Sequence, residues 1–350
     1  MFRLKLDAAL LMAASLSLAS LLGTSGLATA AEVTLPDGGR CQGEISNGTL
    51  NGKGSCNYAN GDRYEGNFVN GKREGTGVYT FADKGRYTGE FKDDQINGRG
   101  VREFADGDRY EGEFVNGVPN GTGVYISAGG NRVEGQFKNG NLEGTGTFTF
   151  KNGDKCTGTV TGGQLSGNGS CVYANGNRYE GQFSNNRPNG EGTYTFASGG
   201  TYKGQFSNGQ FNGRGVRQYP NGNRYEGEFK DGKFEGEGSL TAKEGTYKGQ
   251  FRNGQFNGTG VFTFADGNRY EGQFVNGQFS GRGAYIFANG DRCDGEFSAG
   301  SLNGRAMCKY ASGDSYEGEF RNGDKEGTGV YVYADGTRLQ GTWKGGQFQN

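Results

Sequence analysis

The chain has 350 residues, of which 72 are glycine, only 32% are hydrophobic and none is histidine. Its 37 Lys and Arg residues nearly balance its 38 Asp and Glu residues, so no excess of positive charge indicates binding to nucleic acid or to acidic lipids. The lack of histidine excludes Ser-His and Cys-His nucleophilic catalysis and histidine-based metal sites.

Residues 1–30 have the features of a secretory signal peptide. They begin with two basic residues, continue with an apolar stretch over residues 8–22 and end in Ala-Thr-Ala at positions 28–30. The apolar stretch is short for a membrane span, and an uncleaved anchor helix is the alternative. We therefore expect an exported protein, periplasmic or extracellular, whose mature chain starts at Ala31.

One pattern of 23 residues recurs along the rest of the chain. The copy that begins at Tyr270 reads YEGQFVNGQFSGRGAYIFANGDR, and we number the positions of every copy from its first residue. Glycine stands at positions 3, 12 and 14, aromatic residues mostly at positions 1, 5, 16 and 18, and turn pairs such as Asn-Gly at positions 7–8 and 20–21. Thirteen copies fill residues 41–338, one of them with 22 residues, and a partial copy fills residues 339–350. The copies begin at Cys41, Tyr64, Tyr87, Tyr110, Val133, Cys156, Tyr179, Tyr202, Tyr225, Tyr247, Tyr270, Cys293 and Tyr316. A high glycine content alone would suggest disorder, but periodicity of this kind predicts a repeat architecture.

Each copy has the pattern of a β-hairpin. Aromatic and polar residues alternate in YEGQF and GAYIF with the period of two that is typical of strands. The Asn-Gly pairs favour tight turns, and a second turn leads into the next copy. The sequence therefore predicts an all-β fold, an elongated single-layer antiparallel β-meander. Residues 31–40 are expected to add one strand before the first hairpin, and both end strands would then present unpaired edges.

The register of the hairpin explains the glycines. If the first turn is centred between positions 8 and 9, position 1 faces 16, position 3 faces 14 and position 5 faces 12. Tyr270, Phe274 and Tyr285 then share one face with the glycines, and polar residues such as Glu271 and Arg282 occupy the other. Glycine inside a strand needs a reason. We expect each aromatic ring to lie on backbone that glycine leaves bare, which would bury the ring within a single layer.

This motif, YEGxFxNGxxxGxG followed by a second turn, resembles the MORN repeat almost letter for letter, and the resemblance covers residues 41–350. It implies an elongated, gently twisted, single-layer sheet with an aromatic-lined groove. Some MORN proteins are phosphoinositide kinases in which a separate catalytic domain follows the repeats. No such domain is recognisable in this sequence, so the resemblance does not imply kinase activity.

The six cysteines form three pairs, and each pair occupies positions 1 and 16 of one copy. The pairs are Cys41 with Cys56, Cys156 with Cys171, and Cys293 with Cys308. In the predicted register these positions are cross-strand neighbours, at a separation that suits a disulfide. In an exported chain this predicts three disulfides, each within one hairpin. The alternative, three two-thiol metal sites, lacks a third ligand nearby.

No motif indicates catalysis or a cofactor. Glutamates at position 2, such as Glu65 and Glu271, recur on the polar face and are interpreted as a solvated stripe rather than acid/base pairs. The glycine-rich stretches lack the strand and helix context of a phosphate-binding loop. Turns such as Ala-Asn-Gly-Asp-Arg at residues 59–63 bear a weak likeness to calcium-binding repeats, but their carboxylates are too sparse. We predict no enzymatic activity, no metal and no cofactor.

Three functions stay open for such a chain. The favoured one is a non-enzymatic scaffold or protein-interaction module of the cell envelope, which would bind a protein partner or associate with itself through its open sheet edges. The others are a cell-wall glycan-binding protein, whose aromatic rows would stack on sugar rings, and a protein attached to a lipid surface through the aromatic face. The candidate interaction face consists of tyrosines at position 1 and phenylalanines at position 5: Tyr64, Phe68, Tyr110, Phe114, Tyr179, Phe183, Tyr225, Phe229, Tyr270, Phe274, Tyr316 and Phe320.

Overall fold

The computed structural model describes residues 31–349, and the signal peptide predicted over residues 1–30 lies outside them. The described residues contain 29 β-strands and no helix. These strands are hydrogen-bonded into one open antiparallel sheet. The prediction of an all-β meander is confirmed.

The contacts divide the chain into two units. Among the described residues, the first contains residues 31–176 together with Gln182–Arg187, and the second contains Asn177–Gly181 together with residues 188–349. In the first unit each strand from β1 to β13 pairs antiparallel with the next. Its strands are β1 Ala31–Thr34, β2 Arg40–Ser46, β3 Thr49–Asn57, β4 Arg63–Val69, β5 Lys72–Thr80, β6 Arg86–Lys92, β7 Gln95–Glu103, β8 Arg109–Val115, β9 Val118–Ile126, β10 Arg132–Lys138, β11 Asn141–Thr149, β12 Lys155–Thr161 and β13 Gln164–Val172.

The second unit repeats this topology. Strand β14, Arg178–Ser184, contributes residues to both units. Each strand from β15 to β29 pairs antiparallel with the next. These strands are β15 Arg187–Thr195, β16 Thr201–Ser207, β17 Gln210–Gln218, β18 Arg224–Lys230, β19 Lys233–Ala242, β20 Gly245–Arg252, β21 Gln255–Phe264, β22 Arg269–Val275, β23 Gln278–Ile286, β24 Arg292–Ser298, β25 Ser301–Lys309, β26 Ser315–Arg321, β27 Asp324–Val332, β28 Arg338–Lys344 and β29 Gln347–Gln349.

The hairpin formed by β22 and β23 shows the register of a copy. Tyr270 faces Tyr285 and Gly272 faces Gly283, as predicted for positions 1 with 16 and 3 with 14. The predicted pairing of position 5 with position 12 is wrong, because Phe274 faces Phe279 at position 10.

A β-bulge between the glycine pair and the first turn causes this difference. The turn is the two-residue pair Asn276-Gly277, with φ angles of 50° and 82°, so it is centred between positions 7 and 8. Position 12 lies inside the bulge, where Gly281 has a φ of 59° and so favours glycine. Gly281 faces Phe297, the position 5 residue of the next copy.

The tyrosine at position 1 covers the glycine pair at positions 3 and 14. A Cβ added to Gly272 or to Gly283 would lie 2.5 Å from the Tyr270 hydroxyl oxygen, so neither position has room for a side chain. Tyr270 is 0% exposed, and its hydroxyl donates a hydrogen bond to the backbone oxygen of Gln273 at 3.0 Å. The ring is therefore buried on bare backbone, and its polar end is satisfied.

The tyrosines and phenylalanines form a ladder that crosses the copies. Tyr64 packs edge-to-face on Phe68 of its own copy, with ring centroids 5.1 Å apart, and on Phe91 of the next copy at 5.0 Å. The same two contacts recur around Tyr87, Tyr202, Tyr225 and other position 1 tyrosines. Each such pair contributes about 0.5–1.5 kcal/mol beyond the area it buries. The core of each unit is thus a row of rings along one face.

In the copies with cysteine, leucine takes the place of the tyrosine ring. Position 10 is leucine in all three, at Leu50, Leu165 and Leu302. The Leu165 side chain is 3% exposed, and its methyl carbon lies 3.3 Å from the place of a Cβ on Gly158. Leucine thus fills the space over the glycine at position 3, and the ring of Phe183 from the next copy lies over Gly169 at position 14.

The copy with 22 residues has a shorter second turn. Its last strand residue Ala242 pairs directly with Gly245, which leaves Lys243 and Glu244 as a two-residue turn. The strands on both sides keep the tyrosine, glycine and phenylalanine positions of the other copies.

Candidate interaction surface

The predicted interaction residues form the floor of the aromatic face. They occupy the ladder described above, and each of them is between 0 and 7% exposed. A partner would therefore touch other rings, which lie above and beside this floor at positions 10, 16 and 18.

The most continuous accessible rings are at position 10 of the second unit. Four consecutive copies carry phenylalanine there, and we call Phe211, Phe234, Phe256 and Phe279 the phenylalanine run. Each ring stacks on the position 1 tyrosine of its own copy, with centroids 3.7–3.9 Å apart and planes within 17° of parallel. All four are half-buried, so each ring contacts the floor and also faces outward.

Further rings extend the run at its sides. Phe196 and Tyr194 lie 6.2 and 6.1 Å from Phe211, and Phe264 lies 6.2 Å from Phe279. Phe287, at position 18, is 40% exposed. An exposed apolar patch of this kind is typical of an interaction site.

Elsewhere position 10 holds a cation inside a box of aromatic rings. The Lys325 ammonium lies within 4.6–5.2 Å of the ring centroids of Tyr310, Tyr316, Tyr331 and Trp343, and burial lowers its pKa. This geometry is a cation–π cage.

In the first unit Arg73 occupies the equivalent cage. Its guanidinium lies 5.0 Å from the Tyr79 ring and 5.8 Å from the Tyr64 ring. It also forms an ion pair with Asp94 at 3.2 Å. On the aromatic face, position 10 thus holds a positively charged side chain in some copies and an aromatic ring in others.

Two arginines at position 16 lie flat on rings. The Arg102 guanidinium carbon is 3.3 Å from the centroid of Phe81, and that of Arg217 is 3.5 Å from the centroid of Phe196. Burial lowers the pKa of Arg102 to about 10, against the raising effect of Asp83 and Asp62, and burial also lowers the pKa of Arg217. The Nη1 atom of each arginine is buried without a hydrogen-bond partner.

Aspartates at position 22 tie consecutive second turns together. Asp62 accepts hydrogen bonds from the backbone nitrogen of Ala82 at 2.8 Å and from the Tyr79 hydroxyl at 2.6 Å. Asp314 accepts the equivalent hydrogen bonds from the backbone nitrogen of Ala334 and the Tyr331 hydroxyl of the next copy. The bond from Tyr331 is the main cause that lowers the pKa of Asp314. These carboxylates therefore link neighbouring copies within the sheet.

The opposite face carries neutralised pairs of charges. Arg63 and Glu65 lie 3.7 Å apart, Arg109 and Glu111 lie 2.6 Å apart, and Arg292 pairs with Asp294 at 2.7 Å. Exposed pairs of this kind contribute little to stability. At these three pairs each positive charge lies beside a negative one.

The family model of the MORN repeat matches residues 41–63, 64–86, 87–109, 110–132, 134–155, 156–178, 179–201, 202–224, 225–246, 247–269, 270–292, 293–315 and 316–338. The chain belongs to the MORN-repeat family. No curated protein matches it.

Solved structures share only weak likeness with this MORN array. The TCP domain of SAS-4 from Drosophila melanogaster, in complex with a proline-rich motif of Ana2, is 14% identical over 57% of this chain and 84% of its own, with a TM-score of 0.19. The TCP10 domain of Danio rerio CPAP with a STIL peptide is 12% identical over 90% and 100%, with a TM-score of 0.21. A virginiamycin B lyase from Staphylococcus aureus is 11% identical over 67% and 74%, with a TM-score of 0.13. TM-scores this low carry no inference about function.

Among residues 31–349, no group of three His, Cys, Asp or Glu side chains is placed to hold a metal, and no helix could span a membrane. Two surface depressions of about 290 and 420 Å³ lie among turn residues such as Asp231 and Asn152. The geometry therefore favours contact across a face over binding in a pocket.

Sequence reasoning missed three features of these repeats. It assigned contact to the tyrosines at position 1 and the phenylalanines at position 5 and did not weigh position 10, where four consecutive phenylalanines were the available signal. It interpreted Asp62 and its equivalents as ordinary turn residues with no further role. It also gave no role to Arg102 and Arg217, the arginines at position 16, which most copies fill with an aromatic or cysteine.

Proposed function

We propose that this chain is an exported, non-enzymatic scaffold of the cell envelope that binds protein partners through its aromatic face. The observation that carries the proposal is the phenylalanine run, in which four successive MORN repeats present stacked, half-buried rings on one face. Aromatic residues are enriched at protein interfaces because they combine large contact area with few rotatable bonds.

Export is supported by the cysteines as well as by the sequence of residues 1–30. Cys41 and Cys56, Cys156 and Cys171, and Cys293 and Cys308 lie at disulfide distance, with Cα atoms 4.0–4.1 Å apart. Disulfides persist in oxidising compartments and are rare in the cytosol. Fusion of residues 1–40 to alkaline phosphatase, which is active only after export, tests this part. An inactive fusion would contradict it.

A protein partner fits the face better than the two alternatives. Acidic lipid head groups require clustered Lys and Arg, whereas this chain has 37 basic and 38 acidic residues, and cations of the opposite face such as Arg109 and Arg292 lie beside a carboxylate. Sugar rings stack on fully accessible aromatic rings, but the rings of the phenylalanine run are half-buried and already stacked on tyrosine.

Chemical cross-linking in the native envelope, with two matched variants, tests the proposal. Phe256→Ser removes a ring from the phenylalanine run, and Val275→Ser removes an apolar side chain that is 51% exposed on the opposite face. We expect the first variant alone to lose its cross-linked proteins. In parallel, the purified protein is incubated with cell wall and with anionic liposomes. The proposal would be wrong if no protein cross-link depended on Phe256 while Phe256→Ser abolished retention by one of these materials. Loss of retention by cell wall would then indicate glycan binding, and loss of retention by liposomes would indicate lipid attachment.

A further inference from the structure

Arg217 lies at the edge of the phenylalanine run, and one ring outside the run contacts both. Phe196 packs on the Arg217 guanidinium at 3.5 Å and on Phe211 at 6.2 Å. The ring centroid of Tyr219 also lies 4.7 Å from the guanidinium carbon. A ligand that covers Phe211 would therefore meet Arg217 as well.

The charge of Arg217 is not neutralised within the described chain. Among residues 31–349 no carboxylate acts on Arg217, and its buried Nη1 lacks a hydrogen bond. Besides burial, only Tyr219 acts on its pKa. An arginine stacked on rings keeps its N–H donors in the guanidinium plane, where they can bind a carboxylate in a two-pronged geometry.

Arg102 provides a comparison at the same position of an earlier copy. It makes the same stacking contact with Phe81, and its Nη1 is likewise unpaired. However, Asp83 and Asp62 act on its charge, and position 10 of its copy is Ile96 rather than phenylalanine. An uncompensated cation beside a continuous aromatic surface thus occurs at Arg217 and not at Arg102.

We propose that the phenylalanine run and Arg217 form one binding surface for a polypeptide segment that carries apolar side chains next to an aspartate or glutamate. This rests on the proposed function and specifies the chemistry of the partner. From β17 to β23 the run crosses six strand spacings of about 4.8 Å, or about 29 Å. An extended segment of about nine residues has this length.

The partner chemistry follows from charge complementarity. A wholly apolar segment or a neutral glycan would leave the guanidinium desolvated without a counter-charge, which is unfavourable. A single cation is too little for an acidic membrane surface. One carboxylate flanked by apolar residues satisfies both the arginine and the rings.

Selection of peptides from a random phage-displayed library on the intact, disulfide-bonded protein tests this inference. We expect the retained peptides to be rich in aromatic and aliphatic residues and to contain Asp or Glu. For a synthetic copy of one of them, Arg217→Gln should weaken the dissociation constant about tenfold, as should the Glu→Gln change in the peptide, because a charge-assisted hydrogen bond is lost. Combining both changes should give no further loss.

Arg102→Gln is the matched control, since it removes an equivalent stacked arginine. It should change the dissociation constant by less than about twofold, and thermal melts should show that both variants are folded. Peptides that bind equally well to Arg217→Gln, or that lack acidic residues, would overturn the inference while leaving protein binding intact. Failure to retain any peptide would count against the proposed function itself.

Discussion

Tyr270 and Gly283 lie on facing strands of one hairpin, and the tyrosine hydroxyl occupies space that a Cβ on Gly283 would need, 2.5 Å away. The ring lies on a glycine pair that crosses both strands, so a sheet with little interior still buries its largest side chains. The requirement repeats at every copy that has tyrosine at position 1. It makes the stability of each copy depend on a few residues that can be changed one at a time.

Replacing Gly227 by valine should destabilise the protein more than replacing Glu228 by valine. A Cβ on Gly227 would lie 2.5 Å from the Tyr225 hydroxyl and 2.6 Å from the Cα of Gly238, so the ring must move. Overpacking of this kind costs about 1–3 kcal/mol, whereas a surface change usually stays within about 0.5 kcal/mol. Urea denaturation measures both. Equal losses would contradict the assignment of the two faces.

Leu165→Ala should reduce stability more than Ile96→Ala, although both residues occupy position 10. Leu165 lies over Gly158 at position 3 in a copy without tyrosine, whereas Tyr87 covers both glycines of the pair in the copy of Ile96. A buried leucine replaced by alanine typically costs about 2–5 kcal/mol, and the half-buried isoleucine should cost clearly less. The free energies of unfolding of the two variants test this. A larger loss at Ile96 would mean that leucine does not replace the ring.

Thiol titration of the unfolded, unreduced protein should detect almost no free thiol. Each disulfide closes a loop with a sequence separation of 15 residues, which the chain-entropy model equates with roughly 3 kcal/mol. A variant with serine at both Cys156 and Cys171 should lose about this much stability to denaturant. Six reactive thiols without a reductant would show that the bridges do not form.

The protein should unfold as its tyrosines ionise in alkali. Burial raises the pKa of Tyr64, Tyr110, Tyr247, Tyr270 and Tyr316 to about 12, from an ordinary value near 10. The folded state disfavours the phenolate, so this contribution to stability is complete below pH about 10 and is lost as the pH rises through about 12. Phenolate absorption should therefore rise together with the loss of strand circular dichroism. Full ionisation of all tyrosines near pH 10 in a folded protein would contradict the burial.

Much of the fold could be predicted from the sequence because the period of the repeat fixes it. Alternation of aromatic and polar residues gave the strands, and the pairing of positions 1 with 16 and 3 with 14 followed from one turn centre. The pairing of Phe274 could not be inferred in the same way. The bulge shifts its partner by two residues, from position 12 to position 10, and both positions lie on the same face of the sheet, so the alternation pattern does not reveal the shift. The signal that was available is the pair Asn276-Gly277, since a two-residue turn with two positive φ angles must be centred between them.

The candidate surface was harder to predict than the fold. Positions 1 and 5 hold tyrosine and phenylalanine in most copies because the scaffold requires these rings, and the rings are buried, as at Tyr225 and Phe229. Contact with a partner depends on positions that differ between copies. Phe234 and Arg217 stand at such positions, and their exposure could be read only from the structure.

Tyrosines at position 1 make edge-to-face contacts with the position 5 ring of the following copy, which is phenylalanine in most copies and Trp343 after Tyr316, and this makes the array modular. Removal or duplication of a whole 23-residue segment would rejoin a tyrosine to an equivalent phenylalanine, whereas a cut through the middle of a segment would leave one ring without its neighbour. A gene of this design can change the length of its product by unequal recombination in units of 23 codons, without inventing a new contact.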